Sequence, residues 1–340
     1  MRKYWLFRTN LKNLEYYHKY QDLETFKKNC HDFYLLQGLW YIEKNLFDEV
    51  IVWRLQPKIP QEDIIFNIDG RKFIQRWCNS FRDLYGLNPP QVSLFRGGFQ
   101  EYGTITNEKP KQFGNSLYLG SGKRIFPKYN GKYKTILLED EKDFHNSYKC
   151  KSFYKTANKN IFHPIKNTKK IFDLCWPVNF SQITQKGQEF FIKSVQQNSY
   201  LRKLKIVHCG NQSEVGEKLC KKYGVKNIKF MGWLNRPQLN EILNQSRCGI
   251  VTSNKQDGCP RTITEILMSG IPLLIRDQTR LLDYYKHGCG VTIFNDKNMS
   301  GRVQEVIEDI DKFNEEVNNA IIDKLQLSTI CTKNFDGIWT

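Results

Sequence analysis

The chain has 340 residues, 40% hydrophobic and 14% aromatic, which excludes a disordered chain and is enough for two ordinary domains with a sizeable core. Net charge is +17, from 52 Lys+Arg against 35 Asp+Glu. With no apolar run of about eighteen residues, no transmembrane helix is expected. The start MRKYWLFRTN has basic residues but no long apolar core and no small-residue cleavage site, so no signal peptide is read and a cytoplasmic protein is expected. Ten cysteines (30, 78, 150, 175, 209, 220, 248, 259, 289, 331) form no CxxC and no Cys/His cluster of metal spacing. They point to a reducing compartment, with neither a disulfide framework nor structural zinc.

In chain order, the first half gives candidate strands YWLFRT (4–9), FDEVIVWRL (47–55), DIIFNID (63–69), QVSLFRG (91–97), SLYLGSG (116–122) and KTILLED (134–140). Two long helices are expected, at 24–46 and 72–85. The polar stretch KSFYKTANKNIFHPIKNTKK (151–170) reads as the crossing between domains. The second half alternates more cleanly. Strands are expected at 169–176, 204–210, 228–233, 248–253, 271–276 and 290–294. Between them lie helices at 186–197, 214–224, 236–246, 260–270 and 281–288. One long helix (300–320) and a tail ending FDGIWT complete the chain. Apolar strands separated by amphipathic helices indicate βαβ units and a parallel sheet covered on both faces. The second half is therefore expected to be Rossmann-like.

Charge is uneven along the chain. Residues 1–170 hold 30 Lys+Arg against 17 Asp+Glu, and residues 171–340 hold 22 against 18. From Lys109 to Leu138 there are seven basic residues and no acid. A basic first half fits a polyanionic partner, whether nucleic acid, an anionic membrane face or a phosphorylated acceptor. A solvated Lys/Asn/Ile-rich surface reads the same way.

Open α/β sheets bind ligands outside the carboxyl ends of their strands. The stretch NKQDGCPRTITEILMSGIP (254–272) falls at such an end. Pro260 suits a first helical position. The N–H groups near Arg261 and Thr262 would then make an anion site fit for a diphosphate. Glu265, one turn further in, could accept two hydrogen bonds from a ribose diol. Asp257, eight positions earlier, could accept from a sugar hydroxyl. On chemistry alone, an ordinary helix-surface acid and an N-terminal cap explain the same two carboxylates.

The run KFMGWLNRPQLNEILNQSRCGIVTSNKQDGCPRTITEILMSGIPLLI resembles the signature of retaining GT-B glycosyltransferases, in particular glycosyltransferase family 4. Gly232, Ser253, Asp257, Gly258, Pro260, Glu265, Gly270 and Pro272 stand where that pattern wants them. DLCWPVNFSQITQKGQEFFIKSV resembles the first strand and helix of the family's C-terminal domain, and KTANKNIFHP its interdomain segment. The likeness covers roughly residues 150–295; the first half matches by architecture only.

The resemblance implies an α/β GT-B fold, two Rossmann-like domains facing each other across a cleft. The acceptor domain would be 1–160 and the donor domain 161–325, with a tail, 326–340, returning toward the first. It implies a nucleotide-sugar co-substrate, UDP- or GDP-linked, with no bound cofactor and no metal, and transfer with retention. Lys186, beside Gly187, would meet the diphosphate as a point charge. The backbone of Gly258, Cys259, Pro260, Arg261 and Thr262 would cradle the distal phosphate. Glu265 would hold the ribose and Asp257 the donor sugar. Lys186, Asp257 and Glu265 would form the catalytic set, with Lys186 and the helix dipole stabilising the leaving diphosphate as charge develops.

The chain departs from the family in two places. The first acid is Asp257 rather than Glu. The Gly-Arg pair that precedes the Lys is replaced by Phe180 and Ser181, with Asn179 before them, so the second diphosphate cation is either lost or supplied by another residue such as Arg261 or Lys255. Arg96, Gly97 and Gly98, at the end of QVSLF, are candidates for acceptor or sugar contacts, or a plain turn. No histidine stands out as a general base; His208, late in a strand, reads as structural.

The acceptor stays open: a glycan, lipid-linked or surface polysaccharide, or a hydroxymethylated DNA base of the kind viral GT-B enzymes modify. The first would place the protein at the inner membrane face, peripherally. The second would use the basic half on phosphates. A third reading is a nucleotide-binding relative that kept the fold without the activity.

Overall fold

The computed structural model describes residues 4–8, 22–30, 32–44, 46, 49–55, 64–68, 71–78, 92–96, 115–120, 135–138, 150–152, 154–180, 186–254, 260–279 and 281–339. The chain divides into two compact units, 1–154 with 331–340, and 155–330.

The first unit contains strands β1 (Tyr4–Arg8), β2 (Glu49–Leu55), β3 (Ile64–Ile68) and β4 (Arg71–Cys78), paired in the order β1-β2-β4-β3. Strands β5 (Val92–Arg96), β6 (Asn115–Gly120), β7 (Thr135–Leu138) and β8 (Cys150–Ser152) follow in sequential order, all parallel. β1 lies beside β5.

Two expectations need correcting here. Over 72–78 the helix expected at 72–85 gives way to β4, antiparallel to β3 with Ile68 opposite Arg71, and 79–85 lie outside the described residues. In the sequence, Asp69-Gly70 is a dipeptide type that favours hairpins, a local signal that outweighs the helical spacing read downstream. The helix expected over 24–46 is two helices, α1 (Leu23–Asn29) and α2 (Phe33–Glu43). Cys30 is extended, and the Asp32 carboxylate accepts from the Leu35 amide at 3.3 Å, starting a new helix.

In the second unit, β9 (Phe172–Pro177), β10 (Ile206–Cys209), β11 (Ile228–Phe230), β12 (Ser246–Val251), β13 (Leu273–Arg276) and β14 (Val291–Phe294) form one parallel sheet. Its order is β11-β10-β9-β12-β13-β14. Helices α3 (Gln188–Gln197), α4 (Ser213–Tyr223), α5 (Arg236–Asn244), α6 (Arg261–Met268) and α7 (Asp283–Lys286) connect the strands. α8 (Met299–Glu308) and α9 (Ile310–Asp323) replace the single helix expected over 300–320, because Asp309 leaves helical geometry between them.

The core joins Leu174, Trp176, Ile206, Ile250 and Leu274 of the sheet to Phe191, Val195 and Val303 of the helices. Burial on both faces explains why the central strands are largely apolar. Helix α10 (Leu327–Trp339) begins in this unit, and from Cys331 onward belongs to the first. There the Tyr41 hydroxyl donates to the Cys331 carbonyl at 3.2 Å.

Strand order reverses between β9 and β12. In an open parallel sheet that reversal leaves a crevice at the carboxyl edge. Among the described residues seven cysteines are buried. Burial pushes the Cys248 thiol up to about 12 and the Cys220 thiol up to about 11. Also among the described residues, no helix is long and apolar enough to cross a membrane.

Candidate functional site

The site is built around the carboxyl ends of β9 and β12. Thr252, just past β12, is buried, and its hydroxyl joins three segments. It accepts from the Trp176 indole N–H at 3.2 Å and donates to the Lys186 carbonyl at 2.9 Å. Lys186 and Gly187 are thereby tied against the end of β12. Gly187 has φ +69°, and a Cβ there would stand 2.0 Å from the Thr252 carbonyl oxygen. Only glycine meets both demands, left-handed backbone and backbone-to-backbone approach. Gly187 precedes the first residue of α3, so Lys186 is presented at a helix start on the crevice.

The chain leading from β9 is clamped from the other side. The Val178 carbonyl accepts from His208 Nε2 at 2.7 Å, and the Asn179 carbonyl from Gln188 Nε2 at 2.6 Å. Asn179 Oδ1 accepts from the Asn211 amide at 2.9 Å. His208 is enclosed by the rings of Trp176, Phe180 and Phe230. Burial pushes its imidazole down to about 4, so it is neutral at pH 7. Its Nδ1 has no partner among the described residues. His208 is thus a buried brace, and Phe180, in the segment where the family carries Arg, is core.

Helix α6 follows β12. Pro260 takes the N-cap position, one residue earlier than expected, and supplies no side-chain cap. The first turn of α6 contains no acid. Among the described residues, the Arg261 and Thr262 amides have no acceptor, while the Ile263 amide donates to the Pro260 carbonyl at 3.1 Å. Such a start favours an anion.

Glu265 lies one turn in and is buried, 7% exposed. It is not the ordinary helix-surface acid that chemistry alone allowed. Its carboxylate meets Arg236, whose Nη1 stands 3.0 Å from Oε1 and donates to Oε2 at 3.2 Å. The pairing answers the cost of a buried carboxylate.

Two arginines were given no role by the sequence reading, although Arg276 stood at one of the strand ends where a ligand was expected. Arg236 is the first residue of α5, twenty-nine positions from Glu265, and no local pattern links them. Arg276, at the carboxyl end of β13, is buried. Its Nε and Nη2 donate to the two Asp296 oxygens at 2.8 and 2.7 Å. Its guanidinium lies over the Phe190 ring at 3.8 Å, and its Nη1 is 3.5 Å from where a Gly187 Cβ would stand. Arg276 thus braces the Lys186–Gly187 corner from β13.

Of the remaining candidates, Asp257, Gly258, Cys259, Gly97 and Gly98 lie outside the described residues, as do Lys255 and Ser181. Arg96 ends β5 in the first unit.

Residues 181–324 match the family described as glycosyl transferases group 1. Comparison with curated protein sequences gives no match. Among solved structures, sucrose-phosphate synthase from Thermosynechococcus elongatus is similar with TM-score 0.69 and 8% identity, covering 98% of this chain and 97% of that one. An alpha-glucosyltransferase in complex with UDP and a 13-mer DNA containing a HMU base gives TM-score 0.61 at 13% identity, with all of both chains covered. The lipopolysaccharide outer core galactosyltransferase WaaB gives TM-score 0.63 at 10% identity, covering 99% of this chain and 98% of that one. The fold is that of the GT-B glycosyltransferases.

Proposed function

We propose that this chain, a GT-B protein with a glycosyl transferases group 1 domain at 181–324, moves a sugar from a nucleotide-sugar donor to an acceptor hydroxyl. Lys186 meets the donor diphosphate, the open start of α6 receives its distal phosphate, and Glu265 accepts from the ribose hydroxyls. Asp257 holds the donor sugar. The unit 155–330 is the donor domain and the first unit the acceptor domain. Transfer proceeds with retention and without metal. Charge develops on the leaving diphosphate, and a fixed cation together with oriented amides stabilises it without reorganisation.

The observation that carries this reading is the Thr252 junction. It ties the Lys186–Gly187 backbone to the end of β12, the strand that precedes the uncapped start of α6, at the reversal of strand order, which supports Lys186 as the phosphate-binding cation. UDP in the DNA-bound glucosyltransferase supports a nucleotide donor.

A glycan or lipid-linked acceptor is the first reading, and the WaaB likeness supports it. DNA is the second, favoured by the basic first half and by the DNA-bound neighbour that this chain matches over its whole length. Duplex binding that weakens steeply with salt would select DNA.

The test of donor binding is thermal unfolding with UDP and with GDP, for wild type and Glu265→Ala. A nucleotide at about 100 times its Kd adds about 2.7 kcal/mol to stability. One of the two is expected to raise the wild-type melting temperature, and to raise that of the variant clearly less. If neither nucleotide shifts the wild type, the donor reading is wrong.

A further inference from the structure

Among the described residues, the Glu265 carboxylate has one partner, Arg236. The two side chains differ in setting: that of Glu265 is 9% exposed, that of Arg236 35%. Arg236 is therefore the more accessible member, with its guanidinium entering from solvent onto a buried acid.

The position of Arg236 is not explained by its own helix. It is the first residue of α5, where a cation has the wrong sign for the helix dipole. Yet the backbone there is held firmly. Asn235 Oδ1 accepts from the Gln238 amide at 2.9 Å, Gln238 Oε1 accepts from the Asn235 amide at 3.1 Å, and Pro237 follows Arg236. A rigid helix start thus aims a cation at a carboxylate on the neighbouring helix start.

The hydrogen bonds can be counted. An ionised carboxylate offers about four acceptor sites. Arg236 donates one hydrogen bond, to Oε2, and lies close to Oε1. Sites remain for the two hydroxyls of a cis-diol. We infer that Arg236 is a positioning residue: it compensates the buried Glu265 charge, holds the carboxylate in one orientation, and so makes the site select a ribonucleotide over its 2′-deoxy form. This rests on the reading of Glu265 as the ribose contact. Arg236 does not touch the donor; its effect passes through Glu265.

The test is calorimetric titration of UDP, GDP and their 2′-deoxy forms into wild type, Arg236→Gln, Arg236→Lys, Glu265→Ala and the Arg236→Gln/Glu265→Ala double variant. Wild type is expected to bind the ribonucleotide about 10-fold or more tighter than the deoxy form, since a lost bond to a buried charged acceptor leaves that acceptor unpaired. Arg236→Gln is expected to bring that preference to within about 3-fold, and Arg236→Lys to restore part of it. The double variant is expected to bind no more weakly than Glu265→Ala alone, because residues acting as one unit do not add. With donor sugar supplied, KM should move and kcat should not.

Unchanged ribose preference in Arg236→Gln overturns the inference. So does a double variant weaker than Glu265→Ala, which would make Arg236 a direct contact. Equal wild-type affinity for ribo and deoxy forms overturns it while leaving donor binding intact. No wild-type binding of UDP or GDP removes the donor reading, and this inference with it. Melting temperatures of all variants separate these outcomes from misfolding, and Arg236→Lys, which keeps the cation, covers the case in which Arg236→Gln does not fold.

Discussion

Helices α5 and α6 both start at the carboxyl edge of the same sheet, after β11 and β12, yet their first turns are finished differently. At α5, Asn235 and Gln238 exchange hydrogen bonds in a reciprocal capping box. At α6, Pro260 provides no side-chain cap and no acid sits in the first turn. A helix that only connects strands gains about 1 kcal/mol from a good cap. Leaving that out beside the crevice is a stability cost consistent with a start kept open for an anion. The comparison sorts this end of the domain into closed features, which should govern stability, and open ones, which should govern donor binding.

The largest test is Gly187→Ala, because Gly187 belongs to both classes. Left-handed strain and a Cβ driven to 2.0 Å from the Thr252 carbonyl should cost about 3 kcal/mol or more. We expect the melting temperature to fall by several degrees and the donor KM to rise, as Lys186 is displaced. A variant that melts like wild type would show that the corner is not rigid.

His208 tests the closed class alone. Its folded-state pKa is depressed from 6.5 to about 4 by burial. Between those values the unfolded chain takes up a proton that the folded chain refuses, so stability falls as pH drops through that window and is regained as pH rises. The size is about 3 kcal/mol at most. Denaturant unfolding at pH 7, 5.5 and 4 should show that slope, and His208→Gln should flatten it. An equal slope in the variant would remove His208 as its source.

Thr252→Val deletes two buried hydrogen bonds while keeping the side-chain shape. About 1–2 kcal/mol of stability should go, with a weaker donor affinity as the Lys186 carbonyl is released. Affinity unchanged at reduced stability would place Thr252 among the closed features. The smallest effect belongs to Asn235→Ala. Loss of the cap should cost about 1 kcal/mol and, by loosening the helix start that holds Arg236, weaken ribonucleotide affinity by a small factor. Unchanged affinity at reduced stability would show that the cap is not what orients Arg236.

Much of the second unit was legible along the chain. Six largely apolar runs at regular spacing mark six strands, because strands covered on both faces by helices are mostly apolar. The turn at Pro260 and the acid at Glu265 were legible for the same local reason: their signals lie within one turn of helix. In the first unit local signals conflicted. Arg71–Cys78 has helical spacing but follows Asp-Gly, and pairing with Ile64–Ile68 decided for strand. Asp32 and Asp309 each split a helix that periodicity alone had joined.

The sequence by itself determined the alternation of elements, the reversal-prone parallel sheet and the residue types offered at its carboxyl edge, since each depends on neighbours a few positions apart. Tertiary structure alone decided which of those residues meet. Arg236 reaches Glu265 across 29 positions and Thr252 reaches Lys186 across 66. Arg276 finds Asp296 and Phe190 on two other elements. Such contacts leave no periodic trace, because strand order places the partners together and strand order is set by how the whole sheet packs.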